Sequence, residues 1–117
     1  MLFMILVKAS HNSEGLALRQ AHLEEKMDEY NQKLIDAKIR VMAKGLHPSS
    51  EGIRFSYRTE NETPLMSFGP FEPVNELIAG FFLIEVKSKE EAIVWASQCP
   101  DPMGFGEGQI ELRQVFE

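Results

Sequence analysis

The chain has 117 residues, 44% of them hydrophobic and 26% charged, with a formal net charge of −6 at pH 7. That length and apolar content suit one domain, residues 1–117, with a core of its own. The negative charge, offset by no compact Lys/Arg cluster, argues against nucleic acid as a partner, and a single cysteine excludes an internal disulfide.

The opening MLFMILVKAS is apolar but far too short to span a bilayer, and it lacks the basic flank of a secretion signal. We therefore expect a cytoplasmic protein without a membrane segment, beginning with a strand over residues 2–8 that is apolar on both faces. His11 to Gly15 reads as a polar turn. Beyond it Leu23, Met27, Tyr30, Leu34 and Ala37 step by four, three, four and three, which predicts an amphipathic helix to about residue 37. Its other side carries Glu24, Glu25, Asp28, Gln32 and Lys33 and reads as a solvated face. Residues 39–44 alternate, with Ile39, Val41 and Ala43 set against Arg40, Met42 and Lys44, the pattern of a half-exposed strand.

A turn-rich loop holding His47 follows. Ile53, Phe55 and Tyr57 then alternate with Arg54, Ser56 and Arg58, residues 59–63 make a polar turn, and residues 65–68 read as a return strand, so 53–68 is expected to be a β-hairpin. The clearest unit runs from Phe68 to Pro100. Phe81, Phe82, Leu83 and Ile84 predict a strand over 80–86 that needs cover on both sides. Ser88 with Glu91 three residues on forms a capping-box pattern, and Ala92, Trp95, Ala96 and Cys99 share one helical face, on which Trp95 is expected to be largely buried. Pro100 stops that helix, leaving Cys99 a reduced, packed thiol. A final strand over 110–116 sets Ile110, Leu112, Gln114 and Phe116 against Glu111, Arg113 and Val115.

Setting the hairpin aside, the order is strand, helix, strand, strand, helix, strand. Two split βαβ halves of this kind give an α+β, ferredoxin-like sandwich with both helices on one face of the sheet. The doubly apolar segments, 2–7 and 80–86, match its central strands, and the alternating segments match its edges. Because helices cover one face only, the apolar second face predicts a homodimer packed sheet to sheet.

Candidate chemistry is sparse. His11, His22 and His47 show no metal-ligand spacing, and no metal or cofactor is implied. His11 and His22 suit ordinary surface or cap roles. His47 projects from a rigid corner between Leu46 and Pro48; it suits proton exchange, or merely a hydrogen bond to a loop carbonyl. Glu76, among Phe71, Val74, Leu77 and Ile78, suits general acid–base work by partial desolvation, or a plain ion pair. Arg54 and Arg113, on alternating strands, are candidates to hold an anionic ligand, or to pair with strand neighbours. Met66, Phe68 and Phe71 suit an apolar pocket wall, or hairpin packing. The glycines at 104, 106 and 108 follow a helix and open none, so they form no dinucleotide fingerprint, and no serine or threonine lies in a nucleophile elbow.

Gly69, Pro70, Phe71, Glu76, Gly80, Phe81, Glu85 and Val86, followed by Glu91, Ala92, Trp95, Ala96, Cys99 and Pro100, together resemble the DGPF-type YCII-related proteins. Weaker agreement extends to Gly45–Leu46, Pro48–Ser49, Ile53–Arg54 and residues 110–113. The resemblance implies a dimeric α+β barrel. It also implies, by analogy with lyases and isomerases on that barrel, cofactor-free proton transfer on a small organic ligand near the FGPF loop. One departure bears on this chemistry: the aspartate that names the motif is Phe68 here, and the polar residues that usually follow it are Pro73 and Asn75. Two readings therefore stand side by side. One is a small-molecule site using His47 and Glu76; the other is a non-catalytic binding or interaction module.

Overall fold

The computed structural model describes residues 1–14, 21–60 and 62–117. In chain order these form β1 (Leu2–Lys8), a short α1 (His11–Glu14), α2 (Ala21–Asp36), β2 (Arg40–Gly45), β3 (Ile53–Ser56), β4 (Leu65–Phe68), β5 (Ile78–Glu85), α3 (Lys89–Ser97) and β6 (Ile110–Gln114). Single 3₁₀ turns at Ser49–Glu51 and Val74–Glu76 punctuate the loops. The main sheet has the order β2-β5-β1-β6, and all its pairings are antiparallel. The two long helices and this antiparallel sheet are compatible with a ferredoxin-like fold, with the doubly apolar strands at the centre.

Parity along β1 explains where the core lies. Phe3, Ile5 and Val7 point to one side and meet Phe82 and Ile84 of β5, the side on which Tyr30 and Leu34 of α2 and Ala92 of α3 pack. Tyr30 ties the layers together: its hydroxyl donates to the Trp95 carbonyl at 2.7 Å, and its ring meets Phe82 edge-on at 5.4 Å. Trp95, expected to be largely buried, is only half-buried and packs on the core margin beside Ala96 and Cys99. Ser88 caps α3 by accepting from Glu91 N at 3.1 Å, while the Glu91 carboxylate accepts from Lys87 N. The opposite side of the sheet carries Leu2, Met4, Leu6, Phe81 and Leu83, all half-buried in the single chain.

Three details differ from the sequence pattern. The expected turn at His11 holds one turn of helix, in which the Ser10 backbone N–H donates to Ser13 Oγ at 2.9 Å. In β2 a bulge between Arg40 and Met42 places two residues against one of β5, so Val41 leaves the core side and is exposed while Ile39 is buried. At the end of the chain the strand stops at Gln114, and Phe116 is fully exposed rather than continuing the alternation.

β3 and β4 pair only with each other, Ile53 opposite Phe68 and Phe55 opposite Met66, as a separate two-stranded ribbon. The chain is extended: its radius of gyration is 16.1 Å, against about 13 Å for a compact domain of this length.

Candidate functional site

The FGPF loop is held by a clamp of side chains from three segments. Glu14, at the end of α1, accepts from the Ser49 backbone N–H at 2.9 Å and also from the Ser49 hydroxyl. The same hydroxyl oxygen accepts from Phe71 N at 3.0 Å. Gly69 N donates to Gly52 O at 3.0 Å, and a Cβ at Gly69 would lie 1.6 Å from Ser49 O, so only glycine lets these strands of backbone touch. The Arg54 guanidinium stacks over the Phe71 ring at 4.0 Å. The Gly69–Pro70 and Glu72–Pro73 peptides are both cis. Both hydrogen-bonding roles of the Ser49 hydroxyl are thus occupied in holding backbone.

A cleft of about 760 Å³ opens between α2, the adjoining ends of β2 and β5, and the loop that follows α3. Leu23, Met27, Met103 and Phe105 supply apolar lining, and Leu46 and Pro48 form part of its rim. Ser13, Asn31, Glu24 and Asp28 add polar groups. Glu24 and Asp28 are exposed, as a solvated helix face requires, yet that face is also a wall of the cleft.

The loop bordering the cleft is folded around one carboxylate. Asp101 Oδ1 accepts from Met103 N and Gly104 N, each at 2.9 Å, and Oδ2 from Gly106 N at 2.8 Å. Desolvation pulls the Asp101 carboxyl upward, but these backbone donors together with Gly108 N outweigh it and hold the group below its ordinary value. Gly104, Phe105 and Gly106 all have positive φ, which wraps the chain about the carboxylate. Burial, with a smaller contribution from the Asp101 charge, pushes the Cys99 thiol up to about 11. Cys99 therefore stays a protonated, packed thiol at neutral pH. Burial likewise holds the Tyr30 hydroxyl far above its ordinary value, in keeping with its role as a donor.

The six residues singled out by sequence are dispersed over the surface. His47 is 85% exposed, and its Nδ1 lies 3.0 Å from Glu51 Oε2. Glu76 ends the second 3₁₀ turn and is exposed. Arg54 covers Phe71, while Met66 and Phe68 stand exposed on β4. Arg113 pairs with Glu111 at 3.0 Å. Of the six, none lines the cleft; His47 comes nearest in the chain, between Leu46 and Pro48. His11 is exposed at the start of α1, and the His22 side chain lies outside the described residues. No group of three or more His, Cys, Asp or Glu able to hold a metal occurs among the described residues. Nor is any helix among them long and apolar enough to cross a membrane.

Sequence reasoning missed Glu14, Ser49 and the cleft wall on α2. Ser49 appeared only within the Pro48–Ser49 similarity. Glu14 gave no signal, because its partner lies 35 residues away. Comparison with curated proteins finds no match. The FGPF loop, the strand after it and the capped helix ending at Cys99–Pro100 are the most distinctive parts of this fold, and the family model described as the YCII-related domain matches the chain over residues 1–117; the chain belongs to that family.

Proposed function

We propose that this domain binds a small organic molecule in the cleft beside α2, and that it does so as a homodimer packed through the open face of its sheet. The cleft carries the reading: about 760 Å³ with apolar lining and a few polar groups is the size and character of a small-molecule site. Its rim at Leu46 and Pro48 continues directly into Ser49, which holds the FGPF loop, so a ligand there would be felt by that loop. The dimer is supported by the apolar centre of the open sheet face at Met4, Leu6, Phe81 and Leu83.

A second reading adds cofactor-free proton transfer. One observation favours it: the Glu51 carboxylate lies 3.0 Å from His47 Nδ1, and His47 follows Leu46 and precedes Pro48, which both line the cleft. Glu76 would serve as the second carboxylate, with Phe68 as an apolar wall. Binding alone requires no such convergence, and so it is the reading we adopt.

The test is a thermal-shift and calorimetric screen against small organic acids, amines and neutral aromatics. A hit should be lost in Leu46→Trp, which narrows the rim at an exposed position, with the unliganded melting temperature unchanged. Hits that ignore Leu46→Trp and Met27→Ala alike would place the ligand elsewhere and remove the cleft reading. Should a ligand also turn over, His47→Ala and Glu76→Gln are each expected to lower the rate tenfold or more. Unchanged rates in both would leave a binding module.

A further inference from the structure

The β3–β4 ribbon is the part of the molecule least explained by its own chain. Directly paired residues share a face, so Ile53, Phe55, Met66 and Phe68 form one continuous apolar surface. These four side chains are 50–70% exposed, and Tyr57 beyond the strand is 76% exposed. Among the secondary-structure elements, the ribbon's strands contact chiefly each other. Isolated two-stranded ribbons are marginal in water and need cover on an apolar face. The own body does not provide that cover.

We propose that the β3–β4 ribbon is an arm that docks its apolar face on a second copy of this chain, so that Ile53, Phe55, Met66 and Phe68 are covered by the partner. The inference rests on the two-fold reading above and adds to it a second contact, made by the arm. Three observations select a second copy as the occupant. The first is area. The four face residues at their exposures amount to roughly 500 Å² per arm, and with Tyr57 roughly 700 Å², against the ~800 Å² per partner of a standard interface. The second is charge. The ribbon from 53 to 68 carries Arg54, Arg58, Glu60 and Glu62, a balance of zero, so it approaches a copy of charge −6 without net repulsion. The third is position. The ribbon springs from the end of β2, the edge strand where Val41 and Met42 are exposed at the margin of the open sheet face, so an arm there extends the contact already proposed.

The consequence for the FGPF loop is specific. Met66 and Phe68 face no wall in the single chain, while Arg54, on the ribbon's other face, stacks on Phe71 of the FGPF loop. Docking the arm would therefore both enclose Met66 and Phe68 and set the position of that loop.

The experiment combines light scattering with hydrogen exchange of the β3 and β4 amides, on the wild type and on Phe55→Ser/Phe68→Ser. Both positions are exposed, so the variant is expected to keep the wild-type circular dichroism. The proposal expects arm amides whose protection rises with concentration in step with dimer formation, and a dissociation constant raised at least about tenfold in the variant. Arm amides that exchange fast in a wild-type dimer, with the variant dimerising equally well, would overturn the arm and leave the two-fold reading intact. Protection that is independent of concentration would mean that the chain covers its own arm, which also overturns the proposal. A wild type that stays monomeric at about 50 μM would overturn both.

Discussion

Gly69 shows how narrowly a single residue can constrain this fold. Its backbone passes so close to Ser49 that a methyl group would lie 1.6 Å from the Ser49 carbonyl oxygen, a contact with rigid backbone that no rotamer relieves. Around it the Ser49 hydroxyl bridges Glu14 and Phe71 N. Gly69→Ala is therefore expected to separate the 49–52 and 69–71 segments and destabilise the domain by about 2–4 kcal/mol, in the upper range for single substitutions. Urea titration checks the magnitude. A variant within 0.5 kcal/mol of wild type, to take a rough surface-substitution threshold, would mean that the loop relaxes freely. Glu14, by contrast, sits in what reads as an ordinary polar turn.

At the scale of elements, the loop from Asp101 to Gly108 is folded around one carboxylate, with Met103 packed on the core margin. Backbone donors hold the Asp101 carboxyl below its ordinary value, so the ionised form is favoured in the folded state. The stability this contributes is fully present above the unfolded value near 3.9 and is lost as pH falls through the lower folded value. Asp101→Asn should therefore lower the melting temperature at pH 7 by a few degrees, the effect of weakening hydrogen bonds to a charged group, and shrink the loss of stability as pH falls below about 4. Thermal unfolding across that range decides it: an acid limb as steep in Asp101→Asn as in wild type would show that the carboxylate does not organise the loop. The same loop carries Met103 and Phe105 to the cleft, so ligand affinity should weaken alongside.

For the whole molecule the decisive surface is the open side of the sheet. Phe81 lies opposite Leu6 and Leu83 opposite Met4 across the two central strands, with Glu111 and Arg113 of β6 at the margin. Light scattering at micromolar concentration should give about twice the 13.3 kDa chain mass. Leu83→Lys, placing a charge at the centre of that face, should give monomers with an unchanged far-UV spectrum. A wild type at the monomer mass would end the sheet-to-sheet reading.

Where the sequence was legible, a period or a terminus carried the information. The doubly apolar runs marked β1 and β5 as the central strands, the four-three spacing marked α2, and Ser88, Glu91 and Pro100 bounded α3, because solvent exposure and backbone donors act residue by residue along the chain. An alternating segment, a polar turn and a short second strand likewise pointed to pairing between residues 53–58 and 65–68, but the register, Ile53 opposite Phe68 and Phe55 opposite Met66, came from the structure. What tertiary structure alone decided depends on groups distant in the chain. The bulge that turns Val41 outward reflects the fit of β2 to β5. The clamp joins Glu14, Ser49 and Phe71 from three separate segments of the chain. The cleft exists only because α2 leans over the ends of two strands near the Asp101 loop, so that Glu24 and Asp28, solvated by every local criterion, also border a cavity. Periodicity tells a side chain which way to face; only the packed fold tells it what it faces.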